Sequence, residues 1–154
     1  MKYLLSVPKA QYERIQRCFS DPSPSGKAAF LLTDVNQSES TCLINVTEFF
    51  AADDLRTDAQ TAGFSIQSPL MMDAIDRAME TGKSFLYLYS DPANSSAGTD
   101  PAYQTNKQIA IRIAYYYLPS GLHACMAFKD AKLSETAWLK GATPQPVQIK
   151  IKAS

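Results

Sequence analysis

Two carboxylates bracket a short polar loop in the second half of this chain. An apolar run, Phe85-Leu86-Tyr87-Leu88, leads into Tyr89-Ser90-Asp91-Pro92, and Gly98-Thr99-Asp100-Pro101 closes the loop. Acids so placed invite a hard cation. An oxygen-only calcium site, however, takes roughly six to eight ligands, and this loop offers two acids. The same residues have a plainer use. Asp100 before Pro101 is a helix N-cap followed by the residue best suited to the first helical position, and Asp91 before Pro92 anchors a turn. Other chemistries have little to work with. The only histidine, His123, falls in the strand-like run Leu122–Phe128, where a structural role is expected. No GxSxG pattern marks a nucleophile. Cys18, Cys42 and Cys125 are odd in number, far apart and without CxxC spacing. That predicts reduced thiols in a cytoplasmic protein, with neither a disulfide framework nor a cysteine zinc site.

The elements that must position these residues follow from periodicity and punctuation. Tyr3 to Val7 is a short apolar strand. Pro8 suits a first helical turn, and Tyr12, Ile15, Cys18 and Phe19 then form one helical stripe over Pro8–Phe19. Residues 21–26 are a loop by composition. Ala28–Thr33 and Thr41–Phe50, separated by the polar turn Asn36–Ser40, read as a hairpin. Ser68-Pro69 starts a helix whose buried face is Leu70, Met71, Ala74, Ile75 and Ala78, with Gly82 as its stop. Lys83–Tyr89 is the strand entering the loop. A helix is placed on Pro101–Leu118, with Ile109, Ile113, Tyr116 and Tyr117 on its stripe, although Ile109, Ile111 and Ile113 also alternate as in a strand. Leu122–Phe128 is a strand, Trp138 lies in or near another, and Val147, Ile149 and Ile151 alternate with polar residues as a half-exposed final strand. The sum is a mixed α+β domain with a largely antiparallel sheet and two or three helices.

Composition bounds the function. At 154 residues, the chain reads as one domain spanning 1–154, long enough to bury a core. Fifteen basic side chains balance fifteen acidic ones, leaving no global field to draw nucleic acid or an anionic membrane. No run approaches the ~20 apolar residues of a membrane span. The run in Met1–Pro8 is too short for a signal peptide.

Taken together, the segment Gly26-Lys27-Ala28-Ala29-Phe30-Leu31-Leu32, the helix at Ser68–Thr81, the strand and loop at 85–100, and His123-Ala124-Cys125-Met126 resemble the JAB/MPN (JAMM) metallo-isopeptidase family. More narrowly, they are similar to the JAB-like domain that precedes ThiF/E1-type adenylating domains in bacterial ubiquitin-like systems. The resemblance implies a JAB/MPN-like, cytidine deaminase-like fold: a largely antiparallel sheet flanked by helices. It also implies an active site built from Glu, His-x-His-Pro and Ser-x-x-Asp. In such a site, two imidazoles and a carboxylate hold zinc, the metal acidifies a water, Glu carries its proton, and Ser steadies the oxyanion.

Carried onto this chain, that pattern is mostly lost. Lys27 stands at the Glu position, Tyr89 and Asp91 at the two His positions, and Ala97 at the Ser position, while Pro92 and Asp100 are kept. Lys27 is also placed to pair with Asp91 or Asp100 where the family holds its cation. The resemblance therefore implies a catalytically inactive relative with no metal and no cofactor. It would serve as a binding or scaffold subunit in a bacterial ubiquitin-like conjugation or deconjugation system, with antiviral defence as one setting. The partners implied are a ubiquitin-like protein, an E1- or E2-like enzyme, or an active JAB subunit, with homo- or heterodimers as the form of pairing. The alternative is a divergent metal-dependent isopeptidase using Asp91 and Asp100.

Overall fold

The computed structural model describes residues 1–20, 27–50, 69–90, 111–140 and 143–153. Seven strands, β1 (Lys2–Pro8), β2 (Lys27–Gln37), β3 (Thr41–Phe50), β4 (Ser84–Ser90), β5 (Ala124–Lys129), β6 (Lys132–Trp138) and β7 (Gln145–Lys152), close into a barrel in the order β1-β3-β2-β4-β5-β6-β7. Helix α1 (Lys9–Ser20) and helix α2 (Pro69–Thr81) pack on it, and a third helix, α3, covers 111–117 among the described residues.

The closed barrel corrects the expectation of a JAB/MPN-like antiparallel sheet flanked by helices. The cause is β1. It pairs in parallel with β3 along one edge, from Lys2↔Thr41 to Ser6↔Asn45, and in parallel with β7 along the other, from Tyr3↔Val147 to Pro8↔Lys152. The first and last strands therefore join, and the sheet closes on itself instead of lying open between layers of helices. A third parallel pair, β4 with β5, makes the ring mixed rather than largely antiparallel.

Local sequence explains each piece. Pro8 ends β1 instead of opening the helix, and α1 begins at Lys9. Ile15 is the fully buried residue of α1, and Tyr12, Cys18 and Phe19 pack partly against the core. Phe19 stacks on Phe128 of β5 at 5.1 Å. The β2–β3 hairpin is antiparallel and turns through Ser38, whose hydroxyl accepts the Thr41 N–H at 3.1 Å. Its register slips between Leu32↔Glu48 and Thr33↔Val46, leaving Thr47 as the extra residue of a β-bulge. The Thr47 hydroxyl donates to the Leu32 carbonyl at 3.1 Å, which satisfies an acceptor the bulge would otherwise strand.

Helix α2 buries Met71, Ala74, Ile75 and Ala78, four residues of the face its sequence predicts; the side chain of the fifth, Leu70, lies outside the described ones. It stops at Gly82, with φ of 68°, where Lys83 N–H reaches back to the Ala78 carbonyl at 3.0 Å. That six-to-one bond after a left-handed glycine is a Schellman cap. Strand β4 is buried from Ser84 to Tyr89, as befits a strand paired on both sides and covered on both faces. Phe85, Tyr87 and Tyr89 share one of its faces with Phe30 of β2. Phe30 stacks on Phe85 at 5.5 Å and on Tyr87 at 5.6 Å, and Tyr87 stacks on Tyr89 at 6.0 Å.

The stripe expected on α3 is corrected in part. Ala114 is buried and Ile113 half-buried, but Tyr116 is 80% exposed and Tyr117 is 41% exposed. Both tyrosines lie in the last turn of the helix, which ends at Tyr117. Its expected segment 101–110, including Ile109, lies outside the described residues.

Candidate functional site

Of the five residues singled out at the degenerate site, two fall on neighbouring strands, one register step apart rather than opposite each other. Lys27 opens β2 and Tyr89 lies near the end of β4. These strands pair antiparallel with Lys27 opposite Ser90 and Ala28 opposite Tyr89. Tyr89 is 5% exposed and its ring belongs to the aromatic row of the core. Asp91, Ala97 and Asp100 lie outside the described residues, as does the proposed pairing of Lys27 with either acid.

The best-defined polar cluster lies at the other end of β4, around His123. Its ring is fully buried. Nδ1 accepts the backbone N–H of Phe85 at 2.9 Å, and Nε2 lies 2.6 Å from the Leu118 carbonyl oxygen. Because a backbone N–H can only donate and a carbonyl can only accept, the proton must be on Nε2 and the imidazole is neutral. Burial pushes its pKa below the ordinary 6.5, opposed in part by the hydrogen bond to Leu118.

The main chain of His123 is held as tightly. Its N–H donates to the Tyr115 hydroxyl at 3.1 Å, and that hydroxyl donates back to the His123 carbonyl at 3.4 Å. The Tyr115 ring meets the imidazole edge-on at 4.6 Å, and Leu122 N–H donates to Ser84 Oγ at 3.1 Å. Burial raises the Tyr115 pKa above its ordinary value, against a lowering contribution from the His123 backbone. Close packing is completed by Gly121, where an added Cβ would fall onto Cε1 of His123 and 2.7 Å from Nε2.

The cluster works as a bracket. It ties the crossover after α3 to the first residues of β4, so that β5 can enter parallel to β4 at Leu86↔Ala124. The sequence pointed to a structural His123, on a strand; the structure places it one residue before β5. Its partners Ser84, Tyr115 and Gly121 were not foreseen. A glycine two residues before a lone buried histidine was the available signal.

The three cysteines are reduced thiols. Cys42 and Cys125 are buried, Cys18 is half-buried, and burial pushes the Cys42 thiol up, which disfavours thiolate. Among the described residues no group of three or more His, Cys, Asp or Glu side chains is arranged to hold a metal ion.

Two surface clefts are lined by described residues. One, of about 630 Å³, is lined by Tyr3, Tyr12, Lys132, Leu133, Ile149 and Ile151, among others. The other, of about 590 Å³, lies between the ends of α2 and α3 and includes Met79, Lys83 and Tyr117. Lys83 is ion-paired with Asp34 at 2.8 Å, so its charge is already matched. Among the described residues no helix is long and apolar enough to cross a membrane. Neither models of known protein families nor the sequences of curated proteins match this chain.

Proposed function

We propose that this chain is a binding or scaffold subunit without hydrolytic chemistry, working in a bacterial ubiquitin-like conjugation or deconjugation system. The observation that carries the non-catalytic part is the commitment of His123. It is the chain's only imidazole, and both ring nitrogens are used to hold backbone groups in the core. A zinc hydrolase of the type the sequence resembles needs two free imidazoles. Here one corresponding position is Tyr89, whose ring is packed among aromatic side chains, and the other is Asp91. Support for the pathway comes from the sequence likeness of segments 26–32, 68–81, 85–100 and 123–126, in which Pro92 and Asp100 are kept. The partners proposed are therefore a ubiquitin-like protein, an E1- or E2-like enzyme or an active JAB subunit.

Two measurements on the purified chain test this reading. Co-expression with the products of neighbouring genes is expected to yield a stable complex. Elemental analysis is expected to find no stoichiometric zinc. Bound zinc that disappears in Asp91→Ala or Asp100→Ala would replace this reading with a divergent metallohydrolase, and failure to capture any neighbouring product would remove the scaffold role.

A further inference from the structure

Strands β6 and β7 close the barrel over a very short stretch. Thr136 pairs with Pro146 and Ala137 with Gln145, and the ladder goes no further. From there β6 extends back to Lys132, still paired with β5 on its other side, and β7 extends on to Lys152, still paired with β1. The two strands fork. Each presents an edge with no ladder partner among the described residues, over Lys132–Glu135 on β6 and Val147–Lys152 on β7.

The sequence supplies the reason. Pro146 has no N–H with which to continue the ladder. On the facing strand, the Ser134 hydroxyl accepts the Thr136 N–H at 3.2 Å and lies 3.1 Å from the Thr136 hydroxyl, so hydrogen bonding there turns inward along β6.

The 630 Å³ cleft lies at this fork, with Lys132, Leu133 and Glu135 from β6 and Val147, Ile149 and Ile151 from β7. The apolar stripe of β7 is covered at the closed end and bare at the open end. Val147 is 4% exposed, Ile149 is half-buried, and Ile151 is 48% exposed. Unpaired backbone and an uncovered apolar stripe at one place are the two needs that an added strand meets together. The charge around them has one sign in excess. Lys2 and Lys132 line the cleft against one acid, Glu135, and Lys150 and Lys152 are exposed on β7 itself.

We propose that the fork between β6 and β7 is a docking site for an extended segment of a partner protein in which apolar residues alternate with acidic ones. The segment adds its backbone to an open strand edge, lays its apolar side chains over Ile149 and Ile151, and turns its acids to the lysines. This rests on the binding-subunit reading and names the surface and the partner chemistry that it would use.

The test uses the full chain and a short synthetic peptide alternating valine with glutamate, followed by backbone amide exchange and chemical shifts. Alternate amides in Lys132–Glu135 or Val147–Lys150 are expected to gain protection on binding. The same peptide N-methylated at alternate backbone nitrogens is expected not to bind, because it cannot form a ladder. Lys2→Glu and Lys132→Glu, both at exposed positions, should each weaken binding about fivefold. Equal binding of the methylated peptide would reduce the effect to charge adsorption and overturn the proposal, as would no binding. Protection that grows with protein concentration and needs no peptide would assign the fork to a second copy instead, and also overturns it. If neighbouring-gene products are captured equally well by the wild type and by the lysine variants, the fork fails while the scaffold reading stands. If the peptide binds at the fork but no such product is captured, the reverse holds.

Discussion

The imidazole of His123 accepts the backbone N–H of Phe85 at 2.9 Å, one register step before the first backbone pair of β4 with β5. A side chain thus does the work of a strand residue at the point where the crossover enters the sheet. Parallel strands need a long crossover, and the entry point of such a connection is where ladder hydrogen bonds are most easily left unmade. Here Phe85 N–H, Leu118 C=O and both backbone groups of His123 are all satisfied within one cluster.

Removing the ring should therefore cost more than its size suggests. His123→Ala leaves a buried N–H and a buried carbonyl without partners and opens a cavity beside Tyr115. A loss of about 2–4 kcal/mol is expected. His123→Asn, which can still offer an acceptor near Phe85 N–H but cannot reach Leu118, should fall between. Urea unfolding midpoints at constant slope would check both, and a His123→Ala loss below that of an ordinary surface substitution would refute the bracket.

The same cluster sets a pH dependence. The folded pKa of His123 is lowered relative to 6.5, so between those two values the unfolded chain binds more protons than the folded one. Stability must then rise with pH through that window. The contribution is fully present above the unfolded pKa and is lost as pH falls below it toward the folded value. Protonating Nδ1 would also set a donor against the Phe85 N–H. Thermal unfolding measured from roughly pH 5 to pH 8 should show this slope in the wild type and lose it in His123→Asn.

Two glycines matter for different reasons, and alanine at each separates them. At Gly82 nothing lies within 4 Å of an added Cβ, but φ is 68°, so the cost is conformational, about 1 kcal/mol. At Gly121 the obstacle is the His123 ring, and overpacking should cost about 1–3 kcal/mol. Only the second cost depends on histidine. In a double-mutant cycle, Gly121→Ala should lose most of its penalty in a His123→Ala background, whereas Gly82→Ala should keep all of its own.

Much of this architecture can be read along the chain, and the part that cannot is non-local. The α2 face, its Gly82 stop, the β2–β3 hairpin and the alternation of Val147, Ile149 and Ile151 are local patterns, and the structure places each as expected. The barrel depends on Tyr3 lying beside Val147, and no periodicity reports which distant strand will be a neighbour. The helix on Tyr116 and Tyr117 was legible but its buried face was not, because bulky aromatic residues near a helix end satisfy a helical stripe whether or not anything covers them. At the degenerate site, the strand juxtaposition of Lys27 with Ser90 bears on the expectation, and the acids at 91 and 100 lie outside the described residues. The fork is not legible in that alternation, which begins at Val147; Pro146 stands just before it, and its pairing with Thr136 is a long-range fact that no local pattern reports.

The β5–β6 hairpin offers a stabilising change. Its two-residue turn is Asp130 and Ala131, with φ of 55° and 62°, the pair of left-handed conformations of a type I′ turn. Asp tolerates that region through its short polar side chain, but Ala131 carries a Cβ that crowds the following carbonyl, at a cost of about 1–2 kcal/mol. Glycine removes that strain and adds back about 0.4–1 kcal/mol of unfolded-chain entropy. Ala131→Gly is therefore expected to gain roughly 0.5–1 kcal/mol and raise Tm by about 1–4 °C. The residue is exposed and makes no side-chain hydrogen bond, so no packing is lost. Calorimetry on the two chains decides the matter. A lower Tm for Ala131→Gly would mean that the turn does not hold its left-handed pair in solution.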